Sequence, residues 1–172
     1  NEFSDFARMP KPIFKKNELN KIIKDSINLM KTNDKDIVIN FNTEEVHYVN
    51  SDTEQLNRVF INLLKNSIES LKEKHQKTGD FKKKIDVEIQ LINDYISIVV
   101  QDNGTGFTNN DLKTLSKPYF TTKKEGSGLG LSIVEKILND HNGFIEFISQ
   151  KEGAKIKILL PKYVNWNFDN WW

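Results

Sequence analysis

Residues 117–141 read KPYFTTKKEGSGLGLSIVEKILNDH. Three of the chain's eight glycines, Gly126, Gly128 and Gly130, alternate there, just before an apolar rhythm with helical spacing. Glycine costs backbone entropy, so such a cluster marks a tight turn or a close approach of the backbone to something else. A glycine-rich loop entering a helix also presents unpaired N–H groups and the positive end of the helix dipole, which together suit an anion. The pattern is neither G-x-G-x-x-G nor G-x-x-x-x-G-K-[ST], so neither of those readings transfers. Lys123 and Lys124 stand just upstream, and the run E-G-S-G has the make-up of a lid. An ordinary flexible loop with a glycine-rich cap has the same composition.

Working outward, Asp52 can cap a helix running to about Lys77, with Leu56, Val59, Phe60, Leu63, Leu64, Ile68 and Leu71 along one side. Asn62, Asn66 and Glu69 share the other side, flanked by Arg58 and Lys65. A solvated face is the plain reading. Asparagine, however, is a poor helix former, and two at i, i+4 in mid-helix suggest that their amide oxygens are wanted. Hard cations such as Mg²⁺ take such oxygens, often few from protein and the rest from water and phosphate. Further on, YISIVVQD (95–102) delivers Asp102 at a strand end, and NGTGF turns the chain back through Gly104 and Gly106. A β-turn accounts for Asn103-Gly104. A carboxylate at that point would accept a hydrogen bond from an amino group such as adenine's and would repel guanine's oxygen.

The remaining elements frame these. Leu19, Ile22, Ile23, Ile27 and Met30 predict a helix over 17–32, and residues 36–41 and 45–50 read as short strands. Residues 75–84, HQKTGDFKKK, read as a solvated connection. Residues 85–92 and 95–102 make a hairpin across Asn93-Asp94. A short helix is expected over 110–115, a longer one ending near His141, then a second hairpin from 143–150 and 154–161 across Lys151–Gly153. The fold class is α+β: a two-layer sandwich of a mixed sheet with helices on one face. All three tryptophans fall in the last seven residues, which read as a tail packed on the sheet rather than a ligand site.

The chain has 172 residues, 28% charged and 37% hydrophobic, with a formal charge of +1. That is ordinary for a globular domain and gives no bulk electrostatic case for nucleic acid or membrane. There is no cysteine, hence no disulfide or thiolate metal site. No apolar run reaches transmembrane length, and the N-terminus has neither a signal-like apolar region nor a starting methionine, so a fragment of a longer protein is expected.

In this order, NRVFINLLKNSIES, DNGTGF, KPYFTTK and GSGLGLSIV resemble the N box, first G box, F box and second G box of sensor histidine kinases, members of the GHKL superfamily with the Bergerat fold. The resemblance covers residues 13–162, and the opening EFSDFARMPKP is similar to the junction after the dimerisation helices of NtrY-type nitrogen-regulation kinases. It implies three parts: the end of a dimerisation helix and a linker (1–12), a catalytic ATP-binding domain (13–162) and an aromatic tail (163–172). It implies ATP and Mg²⁺ as cofactors, with Asn66 the metal ligand and Asn62 beside it on the nucleotide side. Asp102 would bind adenine, and Gly104 and Gly106 would make its turn. Phe120, Thr121, Thr122 and Lys123 would belong to a mobile lid. Gly126, Ser127, Gly128, Leu129 and Gly130 would wrap the phosphates.

Asn62, Lys65 and Lys123 are the expected catalytic side chains. Hydrolases of the superfamily carry a water-activating glutamate where this chain has Asn62, which cannot act as a base. The resemblance therefore implies transfer of the γ-phosphoryl group to a histidine rather than to water. A Bergerat-fold ATPase and a degenerate nucleotide-binding regulatory module are the alternatives. None of His47, His75 and His141 sits in an acceptor motif, so the acceptor is expected on a preceding dimerisation domain. The implied partners are that domain and a response regulator of the NtrX type, with no nucleic acid and no membrane contact by this stretch. The implied parent is a homodimeric, inner-membrane-anchored bacterial sensor with this domain in the cytoplasm.

Overall fold

A computed structural model describes residues 8–31, 34–107, 130–148 and 150–165. Its order is β1 (Lys15–Glu18), α1 (Leu19–Met30), β2 (Val38–Phe41), β3 (Tyr48–Ser51), α2 (Thr53–Thr78), β4 (Lys84–Ile92), β5 (Tyr95–Asp102), α3 (Gly130–Asp140), β6 (Phe144–Ile148) and β7 (Lys155–Pro161). A five-stranded sheet runs β2-β4-β5-β7-β6, and β1 pairs with β3 in a small second sheet. β2 and β4 are parallel, while the other neighbours in the large sheet are antiparallel.

Strand side chains alternate between faces, so residues two apart share one. Ile85 and Val87 of β4, Ile96, Ile98 and Val100 of β5, and Ile156, Ile158 and Leu160 of β7 are all buried. The register aligns Val87, Val100 and Ile156, and likewise Ile98 with Ile158, so these rows form one continuous apolar face. Against it pack Leu19, Ile22, Ile23 and Ile27 of α1, Leu56, Val59, Phe60, Leu63, Leu64 and Leu71 of α2, and Ile133, Val134, Ile137 and Leu138 of α3. This is the expected two-layer α+β sandwich.

Several bounds differ from expectation, and β3, read as 45–50, begins only at Tyr48. The helix predicted from residue 17 begins at Leu19, and Lys15–Glu18 is instead a strand. Asn17 donates its side-chain amide to the carbonyl of Ser51 at 2.8 Å, and Leu19 N–H reaches the carbonyl of His47 at 2.8 Å. Pairing with β3 thus claims the residues before the apolar rhythm starts. The long helix ends at Thr78 and so takes in the first four residues of the expected basic connection. The 93–94 hairpin is as expected, with Asn93 at φ 55 in its turn. The helix expected over 110–115 and the tryptophans lie outside the described residues.

Asp52 opens α2: one side-chain oxygen accepts Gln55 N–H at 3.1 Å, and the other accepts Ile13 N–H at 2.9 Å. Gln55 Nε2 in turn donates to the carbonyl of Pro10 at 3.0 Å, so the segment before β1 is fastened to the start of α2. Asp52→Ala removes the cap and one of these two ties. Urea unfolding should show a loss of about 1–2 kcal/mol. An unchanged midpoint would mean that water replaces the cap at no cost.

Candidate functional site

The buried row of β5 ends in a carboxylate. Asp102 follows Ile96, Ile98 and Val100 on the core-facing side and is 4% exposed. Its Oδ1 accepts the N–H of Gly104 at 2.8 Å and that of Ala154 at 3.3 Å, and it is also hydrogen-bonded to the side chain of Ser67 on α2. Burial pushes its pKa up, while those hydrogen bonds and the charge of Lys74 pull it down; burial prevails. The result is an acceptor held in place, costly to keep ionised and short of water.

The glycines at this site have steric reasons to be glycine. A Cβ on Gly104 would run into Ser70 Oγ and lie 2.8 Å from that residue's backbone carbon. Gly106 has φ +77, and its Cβ would stand 2.5 Å from the carbonyl oxygen of Gly153. Gly153 has φ +72, and a Cβ there would collide with the carbonyl of Asp102. The turn after β5 and the turn between β6 and β7 are thus nested backbone to backbone, which only glycine permits. At Gly130, by contrast, a Cβ would meet nothing within 4 Å among the described residues. Packing against the described residues does not demand glycine there, at the first residue of α3.

Helix α2 brings the rest. Ser67, Ser70 and Lys74 of its second half reach the 102–105 turn: Ser70 Oγ accepts Thr105 N–H at 2.9 Å, and Lys74 Nζ donates to the carbonyl of Asn103 at 2.8 Å. Asn66 precedes Ser67 and is half-buried, as is Asn62 one turn earlier, while Lys65 is exposed. The structure therefore brings Ser67, Ser70 and Lys74 of α2 to Asp102 and its glycine turn, and Asn62 and Asn66 stand earlier on that same helix. Phe120, Thr121, Thr122, Lys123, Gly126, Ser127, Gly128 and Leu129 lie outside the described residues; Gly130 stands at the N-terminus of α3.

Sequence reasoning overlooked Ser67, Lys74 and the 152–154 turn. Ser67 had a signal: it is a hydroxyl one turn after Leu63 and one before Leu71, inside the buried row of α2. Gly153 read only as a hairpin turn, because its contact with Asp102 is tertiary. His141 is buried: its Nδ1 meets the carbonyl of Ile137 at 2.7 Å, and its Nε2 accepts Asp52 N–H at 3.1 Å. Burial lowers its pKa and keeps it neutral, so the ring serves packing.

Residues 51–164 match the family model described as histidine kinase-, DNA gyrase B-, and HSP90-like ATPase. The chain belongs to this family. It is 37% identical over 161 residues to an NtrY-like sensor histidine kinase of Rickettsia conorii, covering 92% of this chain and 26% of that protein. The nitrogen regulation protein NtrY of Azorhizobium caulinodans is 32% identical over 160 residues, with 93% and 21% covered. The chain thus spans about a quarter of these relatives. Among solved structures, the catalytic domain of histidine kinase ThkA superposes with a TM-score of 0.76 at 28% identity, over 87% of this chain and 96% of that one. A mycobacterial sensor histidine kinase, MprB, shares the fold at 22% identity, with a TM-score of 0.75 over 87% and 98%. ThkA in complex with the response regulator TrrA gives 0.74 at 24% identity, over 94% and 46%. The domain is therefore a Bergerat-fold module of the histidine kinase type, and no helix among its described residues is long and apolar enough to cross a membrane.

The strain on Asp102 has a measurable sign. A carboxyl whose folded pKa is raised stabilises the fold at low pH, and that contribution is lost as pH rises through the folded pKa. Asp102→Asn keeps an oxygen acceptor without the charge. Thermal unfolding should find the variant more stable than wild type at neutral pH, the difference closing as pH falls through the Asp102 transition. A variant that is less stable at neutral pH would show that the hydrogen bonds outweigh burial.

Proposed function

We propose that this domain binds Mg-ATP and transfers its γ-phosphoryl group to a histidine on a preceding dimerisation domain. The observation that carries the reading is Asp102: a buried carboxylate fixed by Gly104 N–H, Ala154 N–H and Ser67, at the turn of α2 that begins with Asn66. A fixed acceptor in that position selects an amino donor on a planar base. Adenine has one where guanine has an oxygen.

The donor set fits a hard cation brought in with the nucleotide. No cluster of three or more His, Cys, Asp or Glu that could hold a metal exists among the described residues. Asn66 offers a single amide oxygen, and Mg²⁺ commonly takes few protein ligands beside phosphate and water. When bound, the cation would neutralise charge on the phosphate oxygens. The chain's own residues do the remainder: Asp102 orients the base, Asn62 and Asn66 face the phosphates, and Gly130 N–H at the start of α3 adds its dipole. Lys65 and Lys123 are assigned to the phosphoryl group, Phe120, Thr121, Thr122 and Lys123 to a lid, and Gly126, Ser127, Gly128 and Leu129 to the phosphates. In the transfer, the bond from the γ-phosphorus to the bridging oxygen breaks, a phosphorus–nitrogen bond forms on the imidazole, and ADP leaves. Asn62 has no basic group with which to activate water.

The same reading divides the chain at 1–12, 13–162 and 163–172. The ties of Pro10 and Ile13 to α2 support a linker that enters the domain there. The NtrY-like relatives support an NtrY-type parent; we infer further that this parent is homodimeric and anchored in the inner membrane, with this domain in the cytoplasm. An NtrX-type response regulator would be its partner, as ThkA's crystallised complex with TrrA illustrates. Incubated with γ-labelled Mg-ATP, the chain alone should acquire no acid-labile label and release little phosphate. Joined to its upstream helical domain, it should label a histidine there. Rapid phosphate release would instead establish an ATPase, and binding without either outcome a regulatory module.

A further inference from the structure

Lys74 lies two turns beyond Asn66 on α2, and its side chain is only 20% exposed although charged. Its Nζ donates to the carbonyl of Asn103 at 2.8 Å and to Glu152 Oε1 at 2.9 Å, and it sits 4.7 Å from the centre of the Phe81 ring. Asn103 is itself a junction: its Nδ2 donates to the carbonyl of Lys82 at 2.8 Å and its Oδ1 accepts Lys84 N–H at 3.0 Å. Glu152 adjoins Gly153, whose backbone nests against Asp102. A single ammonium thus joins α2, the turn after β5 and the turn before β7. Those are the three pieces that hold the Asp102 carboxylate. The exposed pairs Lys21–Asp25 and Lys77–Glu73, by contrast, each link one turn of a single helix to the next.

We propose that Lys74, with Glu152 as its counter-ion, is the positioning residue for the base end of the nucleotide site. It does not touch the ligand. It fixes the Asn103 carbonyl and the 151–153 turn, so that Gly104 N–H and Ala154 N–H converge on one oxygen of Asp102. The charge that acts on that carboxylate is Lys74 from α2, while Lys74 and Lys84 from β4 both act on Glu152 of the β6–β7 turn. Removing Lys74 takes away the favourable charge on Asp102 and the hydrogen-bonded partner of Glu152. Losing that charge makes Asp102 harder to ionise.

The inference rests on the Mg-ATP reading above, and the test separates the two. Mg-ATP affinity is titrated calorimetrically between pH 5 and 8 for wild type, Lys74→Met and Lys74→Arg. Wild type should bind, losing affinity as pH falls through the Asp102 transition. Lys74→Met should bind about tenfold more weakly at pH 7.5, with the midpoint of its pH profile moved upward. Lys74→Arg, which keeps both donors and the charge, should restore affinity and midpoint. Weaker binding with an unmoved midpoint would reduce Lys74 to a structural pair and overturn the inference, as would wild-type affinity in Lys74→Met. A wild type that binds no ATP would overturn the nucleotide reading itself.

Discussion

A carboxylate occupies a core position in this domain, and much of the molecule is arranged to keep it there. Asp102 stands in the same row of β5 as Ile96, Ile98 and Val100, where a fourth aliphatic side chain would bury more apolar surface at no electrostatic cost. An ionised group so placed is tolerable only with hydrogen bonds that hold it. Two backbone N–H groups and the Ser67 hydroxyl supply them. Stability is surrendered locally for a directed acceptor, a trade found at binding sites rather than in cores.

From that constraint the local backbone follows. Two N–H groups from separate turns can reach one oxygen only if the turns lie almost in contact, and side chains at Gly104, Gly106 and Gly153 would drive them apart. Helix α2 then closes the arrangement from the side through Ser67, Ser70 and Lys74. Its own position is set by the aliphatic row from Leu56 to Leu71 and by the Asp52 cap. Because Asn62 and Asn66 ride on the same helix, the packing that seats α2 on the sheet also sets where they stand relative to Asp102.

Much of this was legible in the sequence wherever the information was local. The Asp52 cap, the helical rhythm of α2, the Asn93-Asp94 hairpin and the exit of Asp102 from a strand are all written in short windows. The strand Lys15–Glu18 was not, because KKNE has no apolar alternation and becomes a strand only by pairing with Tyr48–Ser51. The parallel pairing of β2 with β4 joins segments separated by the whole of α2. Gly153 and Lys74 escaped notice for the same reason. Each looks ordinary in its own window, and its partner arrives from another element. The glycine-rich segment lies, up to Leu129, outside the described residues, and only Gly130, at the start of α3, falls within them.

The central claim is that Asp102 reads the amino group of adenine. The most direct measurement is a side-by-side titration of the domain with Mg-ATP and Mg-GTP at neutral pH. A charged hydrogen bond gained with one base and a repulsion met with the other predicts a preference for ATP of at least about tenfold. Equal affinity for the two nucleotides would contradict the account.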